Sequence, residues 1–320
     1  VTPDQLASLS DSLFSIAVAI YSLAVIAFCA QLAFGRRTAR SPELVAAGHV
    51  GGPVVDPPQI PAEDVRGRRW GAAAMGLTVL GALAQAGVLL ARGLATDRLP
   101  WGNMYEFATG TVLVAVIVYV VLAFRAPGLR HIGAFVLGPV VLALVAIGLG
   151  LYAEAGPVVA ALRSYWLAIH VSTAIIGFGV FFVSGVASAL YLVRIWHEAA
   201  TPEGAPARSG IISRLPTAAA LDRVAHRTVV FGFPIWTFAV IAGAIWAEAA
   251  WGRFWGWDPK ETWAFIAWVV YAAYLHARTT AGWRGRPAAW INLVGLVVMI
   301  FNLLFVNLVS TGLHSYAGVG

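Results

Sequence analysis

The stretch Trp251-Gly252-Arg253-Phe254-Trp255-Gly256-Trp257-Asp258-Pro259-Lys260-Glu261-Thr262-Trp263 concentrates the side chains best suited to chemistry. Five tryptophans fall between 251 and 268, more than the interfacial anchoring of one helix end needs. Trp251 and Trp255 are four apart with Phe254 beside them, which predicts an aromatic face on a helical turn lying in an interface. Flat indole rings suit a flat apolar partner, and Gly252 and Gly256 let the backbone come close to it. Arg253 and Lys260 add cations near a helix N-terminus, where an anionic group is favoured. The surface so described fits a molecule that is planar, apolar and acidic at one edge. Part of the stretch also has a structural role. Asp258 suits an N-cap, Pro259 the first helical position and Glu261 the third residue of a capping box.

Haem is a molecule of that kind, and its iron takes axial ligands, histidine most commonly. The chain has seven histidines, so their placement decides which of them could serve. That placement follows from the elements around them.

Of 320 residues, 60% are hydrophobic and 11% charged, against about 45–50% apolar and 25% charged in a soluble domain. Charge-free apolar runs occur near 13–34, 71–91, 107–124, 132–152, 164–193, 228–247, 262–275 and 288–313. A helix needs about 20 such residues to cross the hydrocarbon. The run at 262–275 is short, but Lys260 and Arg278 can snorkel from its ends. The expected fold class is all-α: a polytopic membrane helix bundle of about eight spans, forming one integral membrane domain. Loops 35–70, 125–131, 194–227 and 276–287 hold 16 of the 21 Lys and Arg residues, while the acidic residues divide 7 against 8. The positive-inside rule assigns these loops to the cytoplasm and both termini to the outer side. The basic residues border spans and form no continuous patch, so the pI near 9.8 needs no nucleic-acid explanation; the expected partner surface is the lipid bilayer and no nucleic acid is expected. Segments 41–66 and 201–216, rich in Pro and small residues, are expected to be cytoplasmic linkers. The first span, preceded by Asp4 and Asp11, does not read as a cleaved signal peptide. A single cysteine, Cys29, allows no internal disulfide and no Cys-x-x-Cys-His haem attachment site.

This topology sorts the histidines. His49, His131, His197 and His226 lie in or beside the cytoplasmic loops, where solvated loop or helix-end roles are expected. His170 sits six residues into the fifth span, and His314 just past the eighth. Both lie at the depth of the tryptophan segment, as a pair of axial ligands would. His276 is 15 residues beyond Glu261, roughly 22 Å along a helix, and belongs near the cytoplasmic side. Trp268 precedes it by eight residues. An ionisable residue at that depth is a ligand candidate, although Arg278 beside it also allows a simple interfacial role.

The run from Trp251 to Trp263 resembles the tryptophan-rich WWD signature of haem-handling proteins. Trp268…Tyr274-Leu275-His276-Ala277-Arg278 and Leu313-His314-Ser315-Tyr316 resemble more specifically the CcsA/ResC subunit of System II cytochrome c biogenesis. The similarity spans about Trp101 to Tyr316, with Asn103-Met104-Tyr105-Glu106 and His170-Val171-Ser172 included.

The resemblance implies that His170 and His314 ligate haem iron at an outer site over Trp251, Trp255, Trp257, Asp258 and Trp263. It implies that His276 belongs to an inner haem site completed by a CcsB/ResB-type membrane partner. Arg253 and Lys260 are the expected propionate contacts. Haem b would be substrate and transient ligand, and apocytochrome c the client, receiving thioether-linked haem at Cys-x-x-Cys-His at the outer face of the cell membrane. A thioredoxin-like protein would keep the client thiols reduced. Three other readings remain open on the residues: a haem carrier or exporter without synthase activity, as in related System I proteins; a transporter that handles no haem; and a structural assembly subunit.

Overall fold

The computed structural model describes residues 1–34, 65–158, 162–200, 210–280, 282–310 and 312–314. Within them run eight long helices: α1 (Pro3–Phe34), α2 (Val65–Thr96), α3 (Met104–Arg125), α4 (Gly133–Gly150), α5 (Tyr165–Ala199), α6 (Ala218–Trp251), α7 (Pro259–Thr279) and α8 (Arg286–Leu308). The described residues contain no strand. Seven helical stretches, α4 taken together with the 3-10 turn before it, are long and apolar enough to cross a membrane. The eighth, α7, carries Lys260 and Glu261 in its first turn and His276 and Arg278 in its last. Its 21 residues reach about 30 Å, so it matches the hydrocarbon thickness with its charges at the two ends. The chain is a membrane helix bundle. Linker 41–66 lies almost entirely outside the described residues, as does 201–209 of the second linker.

Several helices outrun their apolar stretches because polar residues cap them. Helix α6 begins ten residues before the apolar run at 228, where Thr217 Oγ1 accepts the Ala220 N–H (3.3 Å). At its far end Gly252, in the left-handed region at φ +71°, stops the helix directly after Trp251. The helical turn expected over 251–255 therefore does not form, and residues 252–258 run as irregular chain into α7. Helix α8 ends at Leu308, which leaves His314 on a short return segment beyond it.

Helix α5 is the axis of the bundle, packed against α3, α6 and α8, while α1 lies against α2 and α4. Polar contacts fix these pairings where apolar packing against lipid-like surfaces discriminates poorly. Asn292 on α8 donates to Ser184 Oγ (2.7 Å) and Ser188 Oγ (2.8 Å) on α5. Tyr21 on α1 donates to Gln85 Oε1 on α2 (2.8 Å), and Gln85 Nε2 donates to the Thr109 carbonyl on α3 (2.9 Å).

One such contact shapes a loop of the site. Glu106 (0% exposed) lies 3.2 Å from Arg92 Nε (1% exposed) and 2.8 Å from Arg98 Nη1. Its Oε2 also accepts the Gly102 N–H (2.7 Å). A carboxylate between two guanidiniums satisfies the lone pairs that make a buried charge costly. The α2–α3 loop is thereby fixed, and Trp101 is delivered against Gly110 on α3 and Ile175 of α5.

Candidate functional site

His170 and His314 face the same space. A cavity with about 470 Å³ of empty volume is lined by both, together with Trp236, Trp246, Trp251, Trp255 and Lys260. A second, of about 550 Å³, is lined by both again with Trp101, Asn103, Trp246, Lys260 and Asn307. His170, Trp246, Lys260 and His314 are thus common to the two cavities.

Each histidine is oriented by a partner at Nδ1. His170 Nδ1 is 2.8 Å from the Ala239 carbonyl on α6. A carbonyl only accepts, so Nδ1 carries the proton and Nε2 is the lone-pair nitrogen. This approach requires Gly243, since a Cβ there would lie 2.7 Å from the His170 ring. His314 Nδ1 is 2.8 Å from Asp258 Oδ1, which selects the same tautomer. Carbonyl and carboxylate partners of this kind are those that orient histidines toward a metal.

Asp258 joins two elements. As N-cap of α7 it accepts the Lys260 N–H (3.0 Å) within a capping box whose second half is Glu261 Oε2 accepting the Asp258 N–H (3.1 Å). Its other oxygen accepts the Leu313 N–H (2.8 Å), so the segment after α8 is clasped to the start of α7. Burial pushes the Asp258 carboxyl up, but the His314 contacts and the N–H groups of Leu313 and Lys260 outweigh it and hold it at about 2. The capping box expected from the sequence is present, and the clasp on His314 is an addition.

Trp246 organises the aromatic wall. It is 2% exposed, stacks on His170 (centroids 6.0 Å, planes 9° apart) and meets His314 edge-on at 5.8 Å and Trp251 at 4.8 Å. Trp251 in turn meets His314 edge-on at 5.1 Å. Trp257, 65% exposed and left-handed at φ +56°, stands outside both cavities and contacts Trp255 at 5.8 Å. Trp263 packs on Phe301 of α8 at 4.3 Å, also away from the cavities.

Of the two cations, Arg253 Nη1 lies 3.3 Å from Glu261 Oε1, with its guanidinium over Trp251 at 5.9 Å. Lys260 Nζ donates to the Asn302 carbonyl (3.0 Å).

Trp246, Trp236 and Trp101 were not singled out from the sequence as site residues. The available signal was depth: Trp246 ends the sixth apolar run at the level of His170, with Gly243 three residues before it.

The opposite, arginine-rich end is built differently. His276 is exposed on the last turn of α7, its Nδ1 3.5 Å from Thr280 Oγ1. Two residues earlier Tyr274 points inward, its ring 6.3 Å from His226 of α6. His226, expected to be solvated, is instead half-buried, with an Nδ1 that meets no partner among the described residues. Arg278 forms a two-pronged ion pair with Asp222 (2.6 and 2.9 Å) that ties α7 to α6.

Among the described residues, no three His, Cys, Asp or Glu side chains gather as a cage for a bare ion. Two histidines facing one aromatic cavity suit a metal that brings its other ligands in a flat macrocycle.

Residues 101–314 match the family model described as "Cytochrome C assembly protein". The chain is 35% identical over 292 residues to the cytochrome c biogenesis protein CcsA of Gloeobacter violaceus, covering 75% of this chain and 85% of that one. It is 37% identical over 258 residues to the CcsA of Guillardia theta, covering 75% and 84%. A solved structure entitled "Cytochrome c Heme Lyase CcmF" superposes with a TM-score of 0.60 at 19% identity, over 95% of this chain and 46% of that one. The chain therefore spans about half of that protein, and the likeness is one of fold. By the family match and the extent of these identities, the chain belongs to the cytochrome c assembly protein family.

Proposed function

We propose that the chain binds haem b as a substrate between His170 and His314 and presents it for attachment to apocytochrome c. The observation that carries this reading is the pair of histidines on shared cavities, each tethered through Nδ1 and both touching Trp246. Nε2 of each histidine is the ligating atom. Trp246, Trp251 and Trp255 face the macrocycle, while the exposed Trp257 is available to an approaching client. Lys260 and Arg253 are the cations for the propionates.

Attachment is an addition of each client Cys S–H across a haem vinyl C=C. Sulfur bonds to one vinyl carbon, the proton goes to the other, and no net oxidation occurs. The client's own histidine then replaces one of the chain's two ligands on the iron. This chain's residues hold the haem, orient it and keep water from the macrocycle; none is required as a nucleophile.

The synthase is complete only with a CcsB/ResB-type subunit. The exposure of His276, with no second histidine facing it among the described residues, supports an inner site whose other ligand comes from that partner. The distribution of Arg and Lys supports a plasma-membrane orientation with both termini and the His170–His314 site at the outer face, and with 41–66 and 201–216 as cytoplasmic linkers. A thioredoxin-like protein supplies reduced client thiols.

The test is an absorption spectrum of the purified chain, alone and with its partner, together with a Cys-x-x-Cys-His reporter. A Soret band lost in His170→Gly and His314→Gly and restored by imidazole is expected, with thioether-linked reporter in the complex. Haem binding without any thioether product would leave only a carrier, and no haem at all would leave a transporter of another kind.

A further inference from the structure

The two cavities that share His170 and His314 are both mainly apolar and differ in the polar groups at their walls. The first adds Trp236, Trp251, Trp255 and several alanines, with the Glu261 carboxylate among them. The second adds Phe107, Leu162 and Leu167 and, among polar side chains, Trp101, Asn103 and Asn307, the last with its amide already donating to the Asn302 and Leu303 carbonyls. The Trp101 indole Nε1 is buried and donates to no acceptor among the described residues, which is unfavourable unless something fills the place. Lys260 borders the same cavity. Its ammonium has three donors, one of which reaches the Asn302 carbonyl, and no carboxylate lies within ion-pair distance among the described residues. Asn103 commits its side-chain oxygen to the Glu106 N–H (2.9 Å), which leaves its amide NH₂ as the group for a ligand. An indole N–H without an acceptor, a lysine amine and an amide donor bordering one cavity suit a carboxylate.

We infer that the second cavity is a carboxylate subsite in which Trp101 Nε1 and Lys260 Nζ hold one propionate of the haem. This rests on the haem reading above and assigns the two edges of the macrocycle. The acidic edge enters between α3 and α8, and the opposite, vinyl-bearing edge lies along Trp236, Trp251 and Trp255, beside the segment 252–257 in which Gly252, Phe254, Gly256 and Trp257 are exposed. Trp101 is a binding residue here, and Glu106 positions it through the Gly102 N–H.

The experiment titrates the purified full-length chain with iron protoporphyrin IX and with its dimethyl ester, in which both carboxylates are capped. The wild type is expected to favour the free acid by about tenfold or more, as hydrogen bonds to a charged group warrant. Trp101→Phe keeps the ring but removes the N–H, and Lys260→Met removes the charge; each is expected to shrink that ratio toward one. Trp101→Phe is the conservative change and decides the matter if Lys260→Met is not monodisperse. A wild type that binds both porphyrins equally, or a ratio unmoved in Trp101→Phe, overturns the subsite while leaving the histidine pair intact. A wild type that binds neither overturns the haem reading and the subsite with it.

Discussion

His170 and His314 sit at one end of the bundle and His276 and His226 at the other, and the two ends hold their histidines in opposite ways. At the first end each ring is oriented by an acceptor of this same chain, Ala239 or Asp258, and both rings touch Trp246. At the second, His276 is exposed and turned away from His226, and the strongest local contact, Arg278 to Asp222, ties helix to helix without engaging either ring. A site whose ligands are pre-oriented loses little freedom when its ligand arrives. One whose ligand points outward needs something from outside the chain to complete it. On the proposed reading, the contrast separates a site this chain builds alone from one it supplies in part.

Replacing the tethered ligands should break that contrast most sharply. His170→Gly or His314→Gly is expected to lower haem affinity by more than the roughly 10–100-fold typical of losing an outer-shell partner, read as loss of the Soret band with recovery in imidazole. Asp258→Ala should follow, at about 10–100-fold, because it frees the His314 ring and the Leu313 N–H together. It should also remove an N-cap worth about 1 kcal/mol, seen as a lower midpoint of thermal unfolding. If haem affinity in Asp258→Ala matched the wild type, the clasp would have no role in orienting His314.

Trp246→Leu should weaken haem binding by about tenfold, on the scale of one lost aromatic contact. Trp263→Leu, which disturbs packing on Phe301 away from the cavities, should alter thermal stability and leave haem titration within about twofold. Equal losses of affinity in both would erase the distinction between wall and scaffold. His276→Gly should have the smallest effect on the isolated chain: an unchanged Soret titration. Its consequence is expected only with the partner present, as loss of a second haem equivalent measured by pyridine haemochrome. A clear loss in the isolated chain would show that His276 contributes to the first site after all.

Much of the scaffold was legible in the linear pattern. Charge-free runs of membrane length marked seven of the eight helices, a shorter run flanked by Lys260 and Arg278 marked α7, and Asp258-Pro259-Lys260-Glu261 marked its start, because helix caps depend on residues three or four apart. Helix ends were read less well. Thr217 and Gly252 set the limits of α6 by hydrogen bonding and backbone conformation, which hydropathy does not register. The expected helical turn at 251–255 failed for that reason, since a glycine in the left-handed region ends the helix at Trp251.

The candidate site was legible by type and depth. The spacing of His170, Trp251 to Trp263 and His314 brought attention to one level of the bundle, where alternation of span and loop confines them. It gave no means of ranking the tryptophans. Trp246 lies within an apolar run and looks like any buried aromatic, yet it touches both histidines. Trp257 and Trp263 belong to the signature but stand outside the cavities.

What the sequence by itself determined is the class of protein, the helices and the level at which the candidate site residues gather, because each depends on composition or on neighbours within one helical turn. Only the tertiary structure decided which side chains share a cavity. The pairs that orient the site, His170 with Ala239 and His314 with Asp258, are 69 and 56 residues apart. The tautomer of each ring, the donors left unsatisfied at Trp101 and the outward turn of His276 all follow from helix packing, which no local pattern encodes.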